Sequence, residues 1–112
     1  MEHEVYIRSR YSTPPGLVDG IEQFVEAMRQ QQRAPLTLRN YRQDLLHFAV
    51  WHQGSLDMLT TERLQAYLAA LLPLGLGTLR RKRTSLRSFL RWAEEASYCP
   101  VLLVANLPLL GT

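Results

Sequence analysis

The sequence predicts an all-α fold, a compact bundle of four main helices with an irregular N-terminal arm and a C-terminal linker. Apolar residues recur along most of the chain at spacings of three and four, the period that lines one face of a helix. Prolines and glycines divide this pattern into segments short enough to be single helices. No segment shows the period of two that a half-buried strand requires. A chain of 112 residues supplies one hydrophobic core, so we expect one domain.

Three parts are expected along the chain. Residues 1–16 form the N-terminal arm, residues 17–97 the four-helix domain, and residues 98–112 a linker toward a further domain. The arm mixes charged and aromatic residues and closes on two prolines and a glycine, which stop one element and prepare the next helix. The linker is rich in leucine and valine and would expose apolar surface unless it met a partner.

The first two helices are expected at about residues 17–32 and 35–52. In the first helix Asp19 and Glu22 lie in the first turns and Arg29 and Arg33 near the end, as the helix dipole favours. A proline opens the second helix, where its missing N–H has no intrahelical partner. Thr37, in the same turn, could cap the helix or place its hydroxyl against a phosphate. Arg39 and Arg42 point away from the apolar stripe of this helix.

The third helix is expected at about residues 61–72, and either Thr60 or Thr61 could cap its start. A segment of alternating leucine, proline and glycine then breaks the chain. The fourth helix, over residues 78–95, carries six of the thirteen basic residues.

The fourth helix has two distinct faces at the helical step of about 100° per residue. The apolar face consists of Leu79, Leu86, Phe89, Leu90 and Ala93. A second face, about a third of a turn away, consists of Arg80, Thr84, Arg87 and Arg91. This face could be an ordinary solvated surface. Arg80 and Arg87, however, have no glutamate four residues away to pair with, and arginine is the side chain whose planar fork grips phosphate. The pattern therefore favours nucleic acid as an anionic partner.

Composition argues against several other classes of protein. No apolar run reaches the roughly 18 to 20 residues of a membrane span, and the N-terminus lacks the pattern of a signal peptide, so we expect a cytoplasmic protein. The single Cys99 cannot form an internal disulfide. His47 and His52 stand five residues apart, too far for a two-histidine metal face, and are expected to be surface or partner-contacting residues. We expect no metal, cofactor, membrane or small-molecule ligand.

Three motifs follow one another along the chain. They read Thr37-x-x-x-Tyr41-x-x-Asp44-Leu45-x-x-Phe48, Leu59-Thr60-x-x-x-Leu64-x-x-Tyr67-Leu68-x-x-Leu71, and Thr78-Leu79-x-Arg81-Lys82-x-x-x-Leu86-Arg87-Ser88-Phe89-x-Arg91-Trp92. Together they resemble the N-terminal core-binding (SAM-like) domain of phage integrases and tyrosine recombinases. The resemblance covers about residues 17–110.

This resemblance implies one half of a C-shaped clamp around duplex DNA, with the second and fourth helices at the major groove of the recombination core site. It implies other recombinase protomers on the DNA as further partners. The residues that it carries over as DNA contacts are Thr37, Arg81, Lys82 and Arg87. The face analysis adds Arg39, Arg42, Arg80, Arg83 and Arg91. Arg83 replaces a leucine usual in the family, so its stem should lie along the core with its head outside.

The chain itself is not expected to be an enzyme. The catalytic domain of the family carries an arginine, a His-x-x-Arg box and a nucleophilic tyrosine, and none of these can be placed here. The covalent chemistry would belong to a C-terminal domain after the linker. The expected function is DNA binding in integration and recombination. A stand-alone helical DNA-binding regulator and a protein-interaction module with an acidic partner are the alternatives.

Overall fold

The computed structural model describes residues 16–99 of the chain. Within that range it has four α-helices and no strand: α1 Leu17–Gln30, α2 Pro35–His52, α3 Thr61–Leu71 and α4 Leu76–Glu95. Short 3-10 helices, Leu56–Met58 and Leu72–Leu74, precede α3 and α4. The all-α prediction is confirmed. Nearly all of the expected arm, and the linker after Cys99, lie outside the described residues.

Local sequence accounts for the helix ends. Thr60 caps α3, because its hydroxyl accepts a hydrogen bond from the backbone N–H of Arg63 at 3.0 Å. Ala34 occupies the cap position of α2 without a side-chain bond, so Thr37 does not cap that helix. Helix α4 begins two residues earlier than expected, at Leu76. The preceding Gly75 has a φ of 103°, a conformation open to glycine and strained for other residues.

The core lies between all four helices, and α2 packs against each of the other three. The five residues predicted for the apolar face of α4 are all at most 1% exposed. Phe24 of α1 joins three helices, because its ring centroid lies 5.3 Å from that of Tyr41, 5.6 Å from that of Phe89 and 5.9 Å from that of Trp92. These ring contacts determine which side of α2 and which side of α4 face the core.

The expectation of a surface His52 is wrong, since this side chain is only 6% exposed. Its ring stacks on Phe48 at 5.6 Å, and both ring nitrogens have partners inside the fold. The Arg63 Nε–H donates to Nδ1 at 3.1 Å, and Nε2 lies 3.2 Å from the carbonyl oxygen of Ser55. Arg63 also lies over the Trp51 ring at 4.1 Å, so α3 is joined to the end of α2.

No group of three histidine, cysteine or acidic residues in the described part of the chain could hold a metal ion. Burial, and after it the Glu94 charge, raise the pKa of the Cys99 thiol to about 11. Among the four helices described, none combines the length and apolarity that crossing a membrane requires.

Candidate nucleic-acid interface

Helices α2 and α4 meet at a buried carboxylate, that of Asp44, whose side chain is 1% exposed. Its Oδ1 accepts hydrogen bonds from Arg81 Nη2 at 2.8 Å and from Lys82 Nζ at 3.2 Å. Its Oδ2 accepts one from the Ser85 hydroxyl at 2.7 Å. We call these four residues the Asp44 cluster. The three donors offset the cost of removing the carboxylate from water.

The two cations of the Asp44 cluster are placed differently. The Lys82 side chain is only 10% exposed, so its ammonium is committed to the interior. The Arg81 side chain is 56% exposed, and the hydrogen bond to Asp44 uses one of its terminal nitrogens. Arg81 therefore keeps N–H groups open to solvent, whereas Lys82 has little surface left with which to touch DNA.

The outer side of α4 carries an exposed row of three arginines, Arg80, Arg87 and Arg91, which we call the α4 row. At the helical step these three side chains lie within about 40° of one another around the axis. Arg83, next to the row, is half-buried, as the sequence predicted. Burial, and then the positive charge of Arg87, lower the pKa of Arg83.

Arg39 and Arg42 lie on the other side of α2, toward α1. Arg42 forms an ion pair with Glu22, with Nη2 2.8 Å from Oε2 and Nε 3.1 Å from both carboxylate oxygens. This hydrogen bonding lowers the pKa of Glu22. Arg39 and Arg42 border a groove of about 470 Å³ between α1 and α2. The other lining residues of this α1–α2 groove are Val25, Arg29, Arg33, Pro35 and Leu38.

The structure thus divides the nine predicted contacts instead of assembling them on one surface. Arg81 and Lys82 belong to the Asp44 cluster, the α4 row lies beside it, and Arg39 and Arg42 belong to the α1–α2 groove. Thr37 is half-buried and stands two turns before Asp44, on the side of α2 that faces α4.

Sequence reasoning gave Asp44 and Glu22 no side-chain partner and did not single out Ser85. A signal for Asp44 was present, because the residue stands among the apolar positions of α2, three after Tyr41 and four before Phe48. Aspartate is almost never fully buried unless it is paired, so an acid at such a position indicates a cationic partner from another helix. For Glu22, on the exposed side of α1, the sequence carries no comparable signal.

Comparison with known proteins places the chain in a family. A solved structure, the N-terminal domain of a phage integrase/site-specific recombinase from Haloarcula marismortui, matches with a TM-score of 0.78 and 18% identity, over 85% of this chain and 96% of that chain. At that identity the match shows the fold. No curated protein matches this chain. The family model for the phage integrase N-terminal SAM-like domain matches residues 21–97, more than half of the chain, and the protein therefore belongs to that family.

Proposed function

We propose that this domain binds duplex DNA through the outer side of α4 and the adjoining side of α2, as the core-site-binding part of a tyrosine recombinase. The observation that carries the proposal is the α4 row. Its arginines lie on one side of a helix over about 16 Å of axis. The major groove is wide enough to admit a helix, and arginine can contact both phosphates and guanine edges.

The geometry separates the strong candidates among the predicted contacts from the weak ones. Arg81 adjoins the α4 row, and Thr37 lies on the neighbouring side of α2, so both belong to the proposed surface. Lys82 is enclosed with Asp44, and Arg39 and Arg42 lie on the opposite side of α2, at the α1–α2 groove. The proposal therefore assigns phosphate contacts to Arg80, Arg81, Arg87 and Arg91.

In this proposal the domain supplies affinity and register, while a catalytic domain of the recombinase performs strand cleavage during integration and recombination. The protein would act in the cytoplasm, the compartment that holds the DNA. Other recombinase protomers on the same DNA are the second proposed partner. Leu72, Leu74 and Leu76 are 44 to 56% exposed around the start of α4 and provide apolar surface for such a contact.

The proposal is tested by measuring duplex affinity against salt concentration, for example by fluorescence anisotropy. Four neutralised phosphates predict a log–log slope of roughly −3 to −4. Binding without salt dependence, or no binding at low salt, would contradict the proposal and favour the protein-interaction alternative.

A matched pair of variants tests the surface itself. Arg87→Gln and Arg29→Gln remove the same charge from exposed helical positions, one in the α4 row and one on α1. We expect Arg87→Gln to reduce the salt slope by about one, as the loss of a phosphate contact does. Arg29→Gln should leave the slope unchanged. Equal effects of the two substitutions would show attraction to net charge without a defined surface.

A further inference from the structure

Arg81 is an exposed arginine of α4 whose guanidinium is already fixed at one end. Its Nη2 lies 2.8 Å from the Oδ1 of a carboxylate that is itself buried. That carboxylate has little freedom, because Lys82 and Ser85 also bind it. An unanchored arginine loses rotamer freedom when it is ordered on a ligand, whereas an anchored one has lost much of it on folding.

The Asp44 cluster remains cationic despite its carboxylate. Lys82 and Arg81 together carry two positive charges against the single negative charge of Asp44. Because Lys82 balances the carboxylate inside the protein, Arg81 keeps its charge toward solvent. The cluster therefore combines a fixed guanidinium with a net positive charge at the junction of α2 and α4.

We propose that Asp44 is a positioning residue for DNA binding. It holds the Arg81 guanidinium at the junction of α2 and α4, so that the remaining N–H groups meet a phosphate of the duplex backbone without further ordering. Asp44 acts through Arg81 and does not touch the DNA. This inference rests on the proposed function of the α4 surface. It adds the residue that sets the geometry of one contact on that surface.

The substitution Asp44→Asn separates this role from the simpler ones. It removes a negative charge near the DNA, so electrostatics alone would strengthen binding. A purely structural role would leave affinity unchanged wherever the variant is folded. Positioning instead predicts binding about five- to tenfold weaker at fixed salt, because Arg81 must then be ordered on the phosphate. Circular dichroism at the assay temperature verifies that the variant is folded, and unchanged or tighter binding would overturn the inference.

A double-mutant cycle identifies Arg81 as the residue through which Asp44 acts. In an Arg81→Gln background, Asp44→Asn should cause no further loss of affinity. In an Arg87→Gln background it should cause the same five- to tenfold loss, about as in the wild type. A loss that persists without Arg81 would assign the effect to the fold of the domain and overturn the inference.

Arg81→Lys provides a second test if Asp44→Asn does not fold. The site is more than half exposed, and lysine keeps both the charge and the helix propensity. Lysine lacks the planar fork that can hold a carboxylate at one end and a phosphate at the other. We expect Arg81→Lys to lose about as much affinity as Arg81→Gln, while the matched Arg91→Lys retains most of it. Wild-type affinity in Arg81→Lys would overturn the inference.

The two proposals fail in different ways. A wild-type domain that does not bind duplex DNA would overturn the proposed function together with this inference. Salt-dependent binding that requires Arg87 but is indifferent to Asp44→Asn and to Arg81→Lys would overturn the inference alone.

Discussion

Helix α2 is tied to its neighbours by two arginine–carboxylate contacts that differ mainly in their access to water. The Asp44 side chain is 1% exposed and binds three donors of α4. In the contact with α1, Glu22 is 44% and Arg42 51% exposed, and each is the other's ion-pair partner. A buried charge must replace the water it loses with protein donors, whereas an exposed carboxylate keeps its hydration and gains little from its partner. The two contacts should therefore contribute differently to the free energy of unfolding, although their chemistry is similar.

The largest effect is expected from Asp44→Ala. It leaves the Lys82 ammonium inside the protein without its counter-charge, which should lower the free energy of unfolding by about 3 kcal/mol or more. Urea denaturation followed by circular dichroism measures this change. Adding Lys82→Met should recover a large part of the loss, because the unpaired buried cation is then gone. A loss no greater than that of Glu22→Ala would contradict the distinction between the two contacts.

An intermediate effect on stability is expected from the protonation of His47, which joins α2 to α3 beside the Asp44 cluster. Its Nδ1 lies 2.8 Å from the Tyr67 hydroxyl. Burial, and then the Asp44 charge, raise the pKa of Tyr67, so the phenol keeps its proton and can donate a hydrogen bond to Nδ1 of the neutral ring. Burial, and then the Lys82 charge, lower the pKa of His47 below its usual 6.5, while Asp44 opposes this shift.

The sign of the pH dependence follows from that lowered pKa. Between the folded and unfolded pKa values of His47 the unfolded chain binds more protons, so this contribution to stability is complete above about pH 6.5 and is lost as the pH falls through the folded value. The denaturant concentration at the unfolding midpoint should decrease as the pH is lowered below about 6.5, and His47→Gln should remove most of that decrease. A His47→Gln variant with the wild-type pH profile would contradict this assignment.

The smallest effect is expected from Glu22→Gln. The hydrogen bond from Arg42 is the main reason that the pKa of Glu22 lies below 4.5. The contribution of the pair to stability is therefore complete above about pH 4.5 and is lost as the pH falls through the lowered pKa. At neutral pH the melting temperature should change far less than in Asp44→Ala, and molar salt should remove the difference from the wild type. A change as large as that of Asp44→Ala would show that exposure does not govern the strength of these contacts.

The sequence predicted the helices well because their signals are local. Leu79 and Phe89 repeat with the helical period and are buried, and the proline at position 35 stands in the first turn of α2. At the start of α3 two threonines were equally good caps. The structure selects Thr60, because its hydroxyl is the one that reaches the N–H of Arg63.

The candidate site was predicted less completely because it depends on which sides of the helices meet. Asp44 and Arg81 are 37 residues apart, so no local pattern pairs them. Periodicity placed Arg39 and Arg42 outside the core, but it could not tell whether they adjoin α4 or α1. The structure places them toward α1. It also places the Lys82 ammonium inside the protein, whereas the family motif indicated only that residue 82 is a lysine.

Enclosing the Lys82 ammonium has a consequence for how the domain responds to ionic strength. Mobile ions screen charges at the surface strongly and enclosed charges much less. High salt should therefore detach arginines such as Arg87 from a polyanion and leave the α2–α4 junction in place. The domain should then elute from an anionic resin at high salt while still folded, with its near-ultraviolet circular dichroism spectrum unchanged.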